Sequence, residues 1–282
     1  MALRNERIAF IGCGTMGEAM VKGLLRHELL EPARIVASHP RAERRETLER
    51  RYGIRTAAVN AEAAEGASIV VLAVKPQRLA EVLAELRGAV ASDAMVISIV
   101  AGATMDRIAG ALGVARVVRV MPNTPAQIGH GMSVWTATGA VNGAGAGRVR
   151  AILSALGEEE RVDHEEEIDM ATALSGTGPA YVFLFMEALI EAGVHLGFSR
   201  RVAARLVRQT VLGAAEYAVE APEHVARMRN QVTSPGGTSA EALYQLERGR
   251  MRTVLSDAVW AAYRRCLELG GRDPGRRGGG PV

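Results

Sequence analysis

Thr238 and Ser239 place two hydroxyls just after a Pro235-Gly236-Gly237 break and just before an amphipathic run through Ala242, Leu243 and Leu246. A Ser or Thr at the mouth of a helix can cap it, and the free amides there, at the positive end of the helix dipole, form a small anion site. The stretch from Thr233 to Ser239 therefore has two readings, an ordinary helix–helix turn or an anion site bordered by hydroxyls.

A second glycine-rich segment, Ile8-Ala-Phe-Ile-Gly-Cys-Gly-Thr-Met-Gly17, serves a different chemistry. Gly12 makes a tight turn, Gly14 lets backbone approach a pyrophosphate, and Gly17 lets the following helix pack on the strand. Its position after an apolar strand, opening a βαβ unit, favours dinucleotide binding over a chance glycine turn. NAD-selective folds place a carboxylate about 20 residues on, at the end of the second strand. Here that strand ends Val36-Ala-Ser-His-Pro-Arg41, with no carboxylate before Glu43. Ser38 and Arg41, with His39 or Arg44, suit a 2′-phosphate, so NADP(H) is preferred and NAD(H) is the alternative. The competing reading makes Arg41, Arg44 and Arg45 a solvated helix face.

Other candidates also end strands. Lys75, in Leu72-Ala-Val-Lys-Pro-Gln77, is one of two lysines among 34 Lys and Arg, and it stands where a doubly wound sheet opens its ligand crevice. Val100-Ala101-Gly102 offers small residues where a nicotinamide ribose needs close approach. Asn60 either caps a short helix at 61–65 or reaches the adenosine, capping being the simpler reading. In Met121-Pro-Asn-Thr-Pro125, two prolines restrain Asn123 and Thr124; a loop lining the nicotinamide or substrate pocket is preferred, with a stiff connector as the competing reading.

The elements that must hold these residues follow from periodicity. Apolar runs at 8–11, 34–37, 69–73, 95–99 and 116–120 alternate with helical stretches at 16–30, 41–52 and 77–90. That alternation is the pattern of a parallel sheet covered on both faces. A strand at 132–137 and a helix at 143–156 complete the first domain. Beyond about 165 the chain reads as helices only, at 165–174, 179–196, 199–219, 222–232, 239–246 and 251–269. The stretch 179–196 is apolar almost all round, which predicts burial on several sides and a second subunit over part of the bundle. The fold class is α/β, a Rossmann-type doubly wound sheet over 1–163 followed by an all-α domain over 164–270 and a disordered tail at 271–282.

Composition narrows the function classes. A chain of 282 residues that is 48% apolar can bury a full core in two domains. A net charge of +3, from 34 Lys and Arg against 31 Asp and Glu, leaves no footprint for nucleic acid, and two Trp without a basic–aromatic stripe give no base stacking. Cys13 and Cys266 have neither disulfide nor metal-ligand spacing, so no metal is expected and a reducing, cytoplasmic setting fits. The first residues do not read as a signal peptide, and Glu187 and Glu191 interrupt the longest apolar segments. A soluble protein without a membrane partner is expected.

Together these segments resemble pyrroline-5-carboxylate reductase. The matching runs are IGCGTMGEAM (11–20), LAVKP (72–76), SIVAG (98–102), RVMPNTPA (119–126), ALSGTGPAYVF (173–183), LVRQTVLGAA (206–215) and VTSPGGTSAEAL (232–243). They lie in order across about residues 7 to 270, and the last is the most specific. The resemblance implies NAD(P)H-dependent reduction of L-1-pyrroline-5-carboxylate to L-proline, the last step of proline biosynthesis. It further implies a C-terminal domain that dimerises through interlocking helices, with dimers assembling into larger rings. By position, Gly12, Gly14, Thr15 and Met16, with neighbouring Ile11 and Cys13, would lie on the pyrophosphate, and Ser38 and Asn60 on the adenosine side. Ala73, Val74, Lys75, Pro76, Val100, Ala101 and Gly102 would follow the ribose and nicotinamide, while Thr238 and Ser239 match the pair that holds the substrate.

The chemistry of that substrate agrees with the residues. Hydride transfer to a C=N carbon is largely a positioning task. The substrate carboxylate fits the amides around Ser234, Gly236, Gly237 and Thr238, at a helix N-terminus. Ser239 can then hydrogen-bond the imine nitrogen and relay a proton to it; a cyclic imine is already partly protonated near neutrality, so no strong acid is required. His195 and His224 read as packing or helix-end charges. Ser175-Gly-Thr-Gly-Pro179 reads as a turn opening a helix. Two positions depart from the family: Asn230, where many members carry Asp, and Ser239, where Thr is commoner. The alternatives are another imine or β-hydroxyacid reductase, whose interdomain helix usually carries a catalytic Lys or Asp, and a non-catalytic NADP-sensing protein. No Lys lies within 175–191, and the hydroxyls at 238 and 239 are intact.

Overall fold

Strands β1 (Ile8–Ile11), β4 (Ile69–Leu72) and β5 (Met95–Ser98) are buried at every position, so the sheet they build must be covered on both faces. The computed structural model describes residues 3–273. The remaining strands are β2 (Ile35–Ser38), β3 (Arg55–Ala57), β6 (Arg116–Pro122), β7 (Gly131–Ala137) and β8 (Gly157–Arg161), in the sheet order β3-β2-β1-β4-β5-β6-β7-β8. Ile8 and Phe10 face a core shared with α1 (Thr15–Arg26), α2 (Ala42–Tyr52) and α6 (Gly143–Ser154). Ala9 and Ile11 face the opposite core, made with α3 (Asn60–Ala64), α4 (Leu79–Glu85) and α5 (Met105–Leu112). Strand order reverses between β1 and β4, and such a switch point opens a ligand crevice beyond the carboxyl ends of the strands.

The sheet is mixed rather than purely parallel, because β7 runs antiparallel to β6. The connection spans only residues 123–130, too short for the crossover of about a dozen residues that a parallel neighbour needs. Two strands carry no apolar signal. Edge strand β8 reads Gly-Glu-Glu-Glu-Arg and pairs with β7, where Arg161 lies 5.3 Å from the centroid of the buried Trp135 ring. At the other edge, β3 has only three residues.

The helical half comprises α7 (Glu166–Ala171), a π-turn (Thr172–Gly176), α8 (Gly178–His195), α9 (Arg200–Glu220), α10 (Val225–Gln231), α11 (Thr238–Arg248) and α12 (Met251–Leu269). Two compact units emerge, one running to Thr177 and resuming at Ala262, the other Gly178–Ala261. The expected boundary at 163/164 thus differs from the division in the fold, because α7 packs on the sheet. Ile168 is fully buried beside Met121 and Val134, and Asp169 is 0% exposed. Arg119 of β6, itself 1% exposed, donates to Asp169 at 2.5 Å and to Glu165 at 3.1 Å, and the Cys266 thiol donates to Asp169 at 3.2 Å. The expected disordered tail begins too early. Gly271 and Arg272 donate backbone bonds to Glu268 and Leu267, both at 2.9 Å, and the Arg272 guanidinium pairs with Asp169. Residues 274–282 of that expected tail lie outside the described residues.

Helix α8 is not buried on several sides within one chain: none of its residues is buried, and Phe183 and Leu184 are 62% and 66% exposed. An apolar helix uncovered to this extent is a surface for another polypeptide. By length and composition alone, the run Glu166–His195 also passes as a membrane span.

Removing Asp169 takes from the buried Arg119 its closest carboxylate and leaves only the partly exposed Glu165, at 3.1 Å, to balance the charge. Asp169→Ala should therefore lower stability by about 3–5 kcal/mol, read from urea denaturation.

Candidate functional site

Gly12 has φ +78°, a left-handed conformation, and a side chain there would run into Cγ1 of Val74, so the turn between β1 and α1 demands glycine. This loop is stitched to the end of β2: Gly12 N donates to Ser38 Oγ at 3.1 Å and Cys13 N to Ser38 O at 2.9 Å. The buried Ser38 hydroxyl in turn donates to Asn60 Oδ1 at 2.6 Å, and Asn60 Nδ2 donates to Glu85 Oε2 at 2.5 Å. Asn60 is therefore not a cap. Val59 holds the cap position, and Asn60 opens α3 with its amide aimed at Ser38. Beside the loop, Ala73 N donates to Ile11 O at 2.9 Å and brings the end of β4 level with that of β1. Burial pushes the Cys13 thiol up to about 12.

Helix α1 begins at Thr15 with no side-chain cap, which leaves first-turn amides at its positive end. Space over Gly14 is open, since an added Cβ would meet nothing nearer than Gly12 O at 3.8 Å. The cradle fits a pyrophosphate, with one apparent conflict: Glu18 stands in the first turn. Its charge is balanced by Arg44 at 2.6 Å and Arg51 at 2.8 Å, and it accepts a bond from Tyr52 OH at 2.8 Å. Burial pushes the Glu18 carboxyl up, but Tyr52, Arg44 and Arg51 outweigh it and hold the group below its ordinary 4.5.

The arginines near the end of β2 do three different jobs. Arg44 donates to Cys13 O and Gly14 O, both at 3.2 Å, and so braces the glycine loop instead of reaching outward. Arg45 is committed to His39 O at 2.8 Å and Pro40 O at 3.0 Å. Arg41 alone is exposed, with no side-chain hydrogen bond or ion pair among the described residues. Burial, then the charges of Arg41 and Arg44, depress the pKa of His39, whose Nδ1 accepts from Arg41 N at 3.2 Å. Of the group expected to share a 2′-phosphate, only Arg41 keeps a free cation. The brace made by Arg44, Glu18 and Tyr52 escaped sequence reading, because its partners are 26 and 34 residues apart.

Lys75 is exposed at the end of β4, ahead of the single turn Pro76–Arg78, and its amine has no partner among the described residues. Val100 to Ala103 form a turn closed by Ala103 N donating to Val100 O at 3.3 Å, with Gly102 at φ +72° in the third position. Gly102 is small for a reason beyond a ligand: a Cβ there would meet Gly270 N, at the end of α12, at 2.6 Å. In the neighbouring loop, Asn123 accepts from Met132 N at 2.9 Å and donates to Ser175 Oγ at 3.3 Å, so its amide stiffens the connection, while Thr124 is exposed.

In the helical unit, Ser234-Pro235-Gly236-Gly237 is a turn with Gly236 at φ +69° and Gly237 N donating to Ser234 O at 3.0 Å. Thr233 Oγ1 donates to Arg229 O at 2.7 Å, anchoring it to α10. Thr238 and Ser239 are the first two residues of α11, not its caps; the cap position is Gly237, which has no side chain to use. Both hydroxyls lack hydrogen bonds among the described residues, and the helix mouth is uncapped. Asn230 Oδ1 accepts from Arg229 at 3.2 Å. His224 caps the N-terminus of α10, its Nδ1 accepting from Ala226 N at 3.2 Å, and is not a C-terminal charge. His195 is the last residue of α8.

A carboxyl held below its ordinary value contributes stability that is present above pH 4.5 and lost as pH falls through its folded pKa. Thermal melts of Glu18→Gln should therefore lie below wild type at neutral pH, with the gap narrowing once pH drops below 4.5.

Comparison with known proteins agrees with this geometry. The family description "Pyrroline-5-carboxylate reductase dimerisation" matches residues 165–269, and "NADP oxidoreductase coenzyme F420-dependent" matches residues 7–102. The pyrroline-5-carboxylate reductase of Synechocystis sp. is 41% identical over 264 residues, covering 94% of this chain and 98% of that protein. The Coxiella burnetii pyrroline-5-carboxylate reductase structure aligns with a TM-score of 0.85 at 38% identity, covering 94% and 98%. The Plasmodium falciparum pyrroline carboxylate reductase, solved with NADP bound, aligns with a TM-score of 0.86 at 31% identity, again over 94% and 98%. With a glycine loop at the switch point of its sheet, an uncapped helix mouth bearing two free hydroxyls, and a relative 41% identical over 94% of its length, the chain belongs to the pyrroline-5-carboxylate reductase family.

Proposed function

We propose that this chain reduces L-1-pyrroline-5-carboxylate to L-proline with NADPH, completing proline biosynthesis in the cytoplasm. One observation carries the assignment of the substrate site. The mouth of α11 offers uncapped amides and two unengaged hydroxyls, Thr238 and Ser239, while the mouth of α1 already accounts for a pyrophosphate. A second anion site suits a substrate with one carboxylate.

NADPH, when bound, supplies the hydride for the imine carbon. The chain's part is to hold and to donate. The first-turn amides of α1 hold the pyrophosphate, with Arg44 keeping the loop in shape, and Arg41 offers the cation for the 2′-phosphate. Ala73 to Pro76 and Val100 to Gly102 border the same crevice, Lys75 adding a free cation. At α11 the amides following Gly237 take the carboxylate, and Ser239, supported by Thr238, donates its hydroxyl proton to the imine nitrogen and regains one from solvent. A hydroxyl suffices because the imine is partly protonated near neutrality. The apolar surface of α8 pairs with a second copy to give a homodimer, a reading supported by the dimerisation match over 165–269, and these dimers build larger rings.

Oxidation of NADPH, followed by its absorbance, should depend on pyrroline-5-carboxylate and be inhibited by proline; cofactor binding without turnover would leave a sensing protein instead. Joint Thr238→Ala and Ser239→Ala replacement should lower kcat by about a hundredfold, the lower range for a positioned proton donor, with NADPH affinity unchanged. A loss of NADPH affinity would show the turn to be misassigned. Arg41→Asp should raise KM for NADPH about tenfold and leave NADH nearly untouched; equal effects would remove the phosphate contact.

A further inference from the structure

We propose that Arg272 is a positioning residue for the cofactor, holding the end of α12 against Gly102 and so fixing the Val100–Ala103 turn beyond the carboxyl end of β5. The inference rests on the reading that this strand end borders NADPH.

Three observations converge on the turn. First, the chain past α12 is folded back and bonded: Gly270 N donates to Leu267 O at 3.0 Å and Arg272 N to the same carbonyl at 2.9 Å. Second, Gly102 and Gly270 lie back to back. A Cβ on Gly102 would meet Gly270 N at 2.6 Å, and one on Gly270 would meet Gly102 O at 2.6 Å, so any movement of the α12 end moves the turn. Third, one charge network brackets the turn from both sides. On one side Arg272 pairs with the buried Asp169, which also accepts from the Cys266 thiol of α12 at 3.2 Å. On the other, Glu165 accepts from Met105 N, the first amide of α5, at 2.7 Å. Arg119 joins the halves, reaching Asp169 at 2.5 Å and Glu165 at 3.1 Å.

Loss of Arg272 differs from loss of Asp169. Asp169 keeps Arg119, so no buried charge is stranded and the fold survives; only the latch on the α12 end is released. The Arg272 side chain is 32% exposed, which limits its contribution to global stability.

The test compares wild type, Arg272→Ala and Arg272→Lys by NADPH fluorescence titration, by steady-state reduction of pyrroline-5-carboxylate and by thermal melting. Arg272→Ala should weaken NADPH binding about fivefold, with KM for the imine and the melting temperature close to wild type. Arg272→Lys should fall between, because an ammonium keeps the ion pair but loses the fork. Unchanged NADPH affinity and kcat, with only a lower melting temperature, would overturn the proposal and leave Arg272 a structural residue. If wild type binds NADPH without reducing the imine, the functional reading fails, while the affinity shift still supports the latch. If wild type binds no NADPH, both fail. Should Arg272→Ala not fold, Arg272→Gln takes its place; failure of both to fold also overturns the positioning role.

Discussion

A guanidinium on β6 and a carboxylate on α7, both withdrawn from water, fix how the strands, helix α7 and the residues just after α12 come together. Arg119 and Asp169 are 1% and 0% exposed and meet at 2.5 Å. Such a pair adds little net stability over apolar residues of the same size, since desolvating both charges offsets most of their attraction. What it does enforce is arrangement. A buried carboxylate cannot be left alone, so α7 must dock where Arg119 is, and α12 must end where Cys266 and Arg272 can complete the shell. The geometry of the β5 turn then follows from elements distant in sequence.

Much of this architecture was legible in the amino-acid order, and the gaps have physical causes. Runs such as Ile-Val-Val-Leu at Ile69–Leu72 declare strands buried on both sides, and the glycine loop declares its own turn. Strand β8 was silent because an edge strand of Gly-Glu-Glu-Glu-Arg takes its pairing from β7 and not from its own side chains. The candidate site divided in the same way. Backbone-determined positions, Gly12 to Met16 and the Ser234–Gly237 turn, were readable, because glycine and proline impose local geometry. Side-chain commitments were not. Whether Arg41, Arg44 or Arg45 faces a ligand depends on partners such as Cys13 O and His39 O, which only the tertiary fold supplies. Asn60 looked like a cap for the same reason: its partner, Ser38, lies 22 residues away.

The two halves of the chain are stabilised differently. The sheet unit buries its apolar residues within itself, on two faces served by different helices. The unit Gly178–Ala261 leaves Phe183, Leu184 and Leu212 exposed, and no residue of α8 is buried. The dimerisation match over 165–269 spans this unit, so a homo-oligomer contributes to its stability. Stability of that half is therefore tied to protein concentration in a way that the sheet half is not.

The cysteine inside the glycine loop has one more consequence. Nucleophilic sulfur is thiolate sulfur, and burial keeps the Cys13 thiol protonated up to about 12 and the Cys266 thiol up to about 11. Cys13 packs as a small apolar residue, 0% exposed, while Cys266, 2% exposed, spends its S–H on Asp169. The glycine loop thus carries sulfur at its centre and yet presents no thiolate at neutral pH, the form that oxidants attack first.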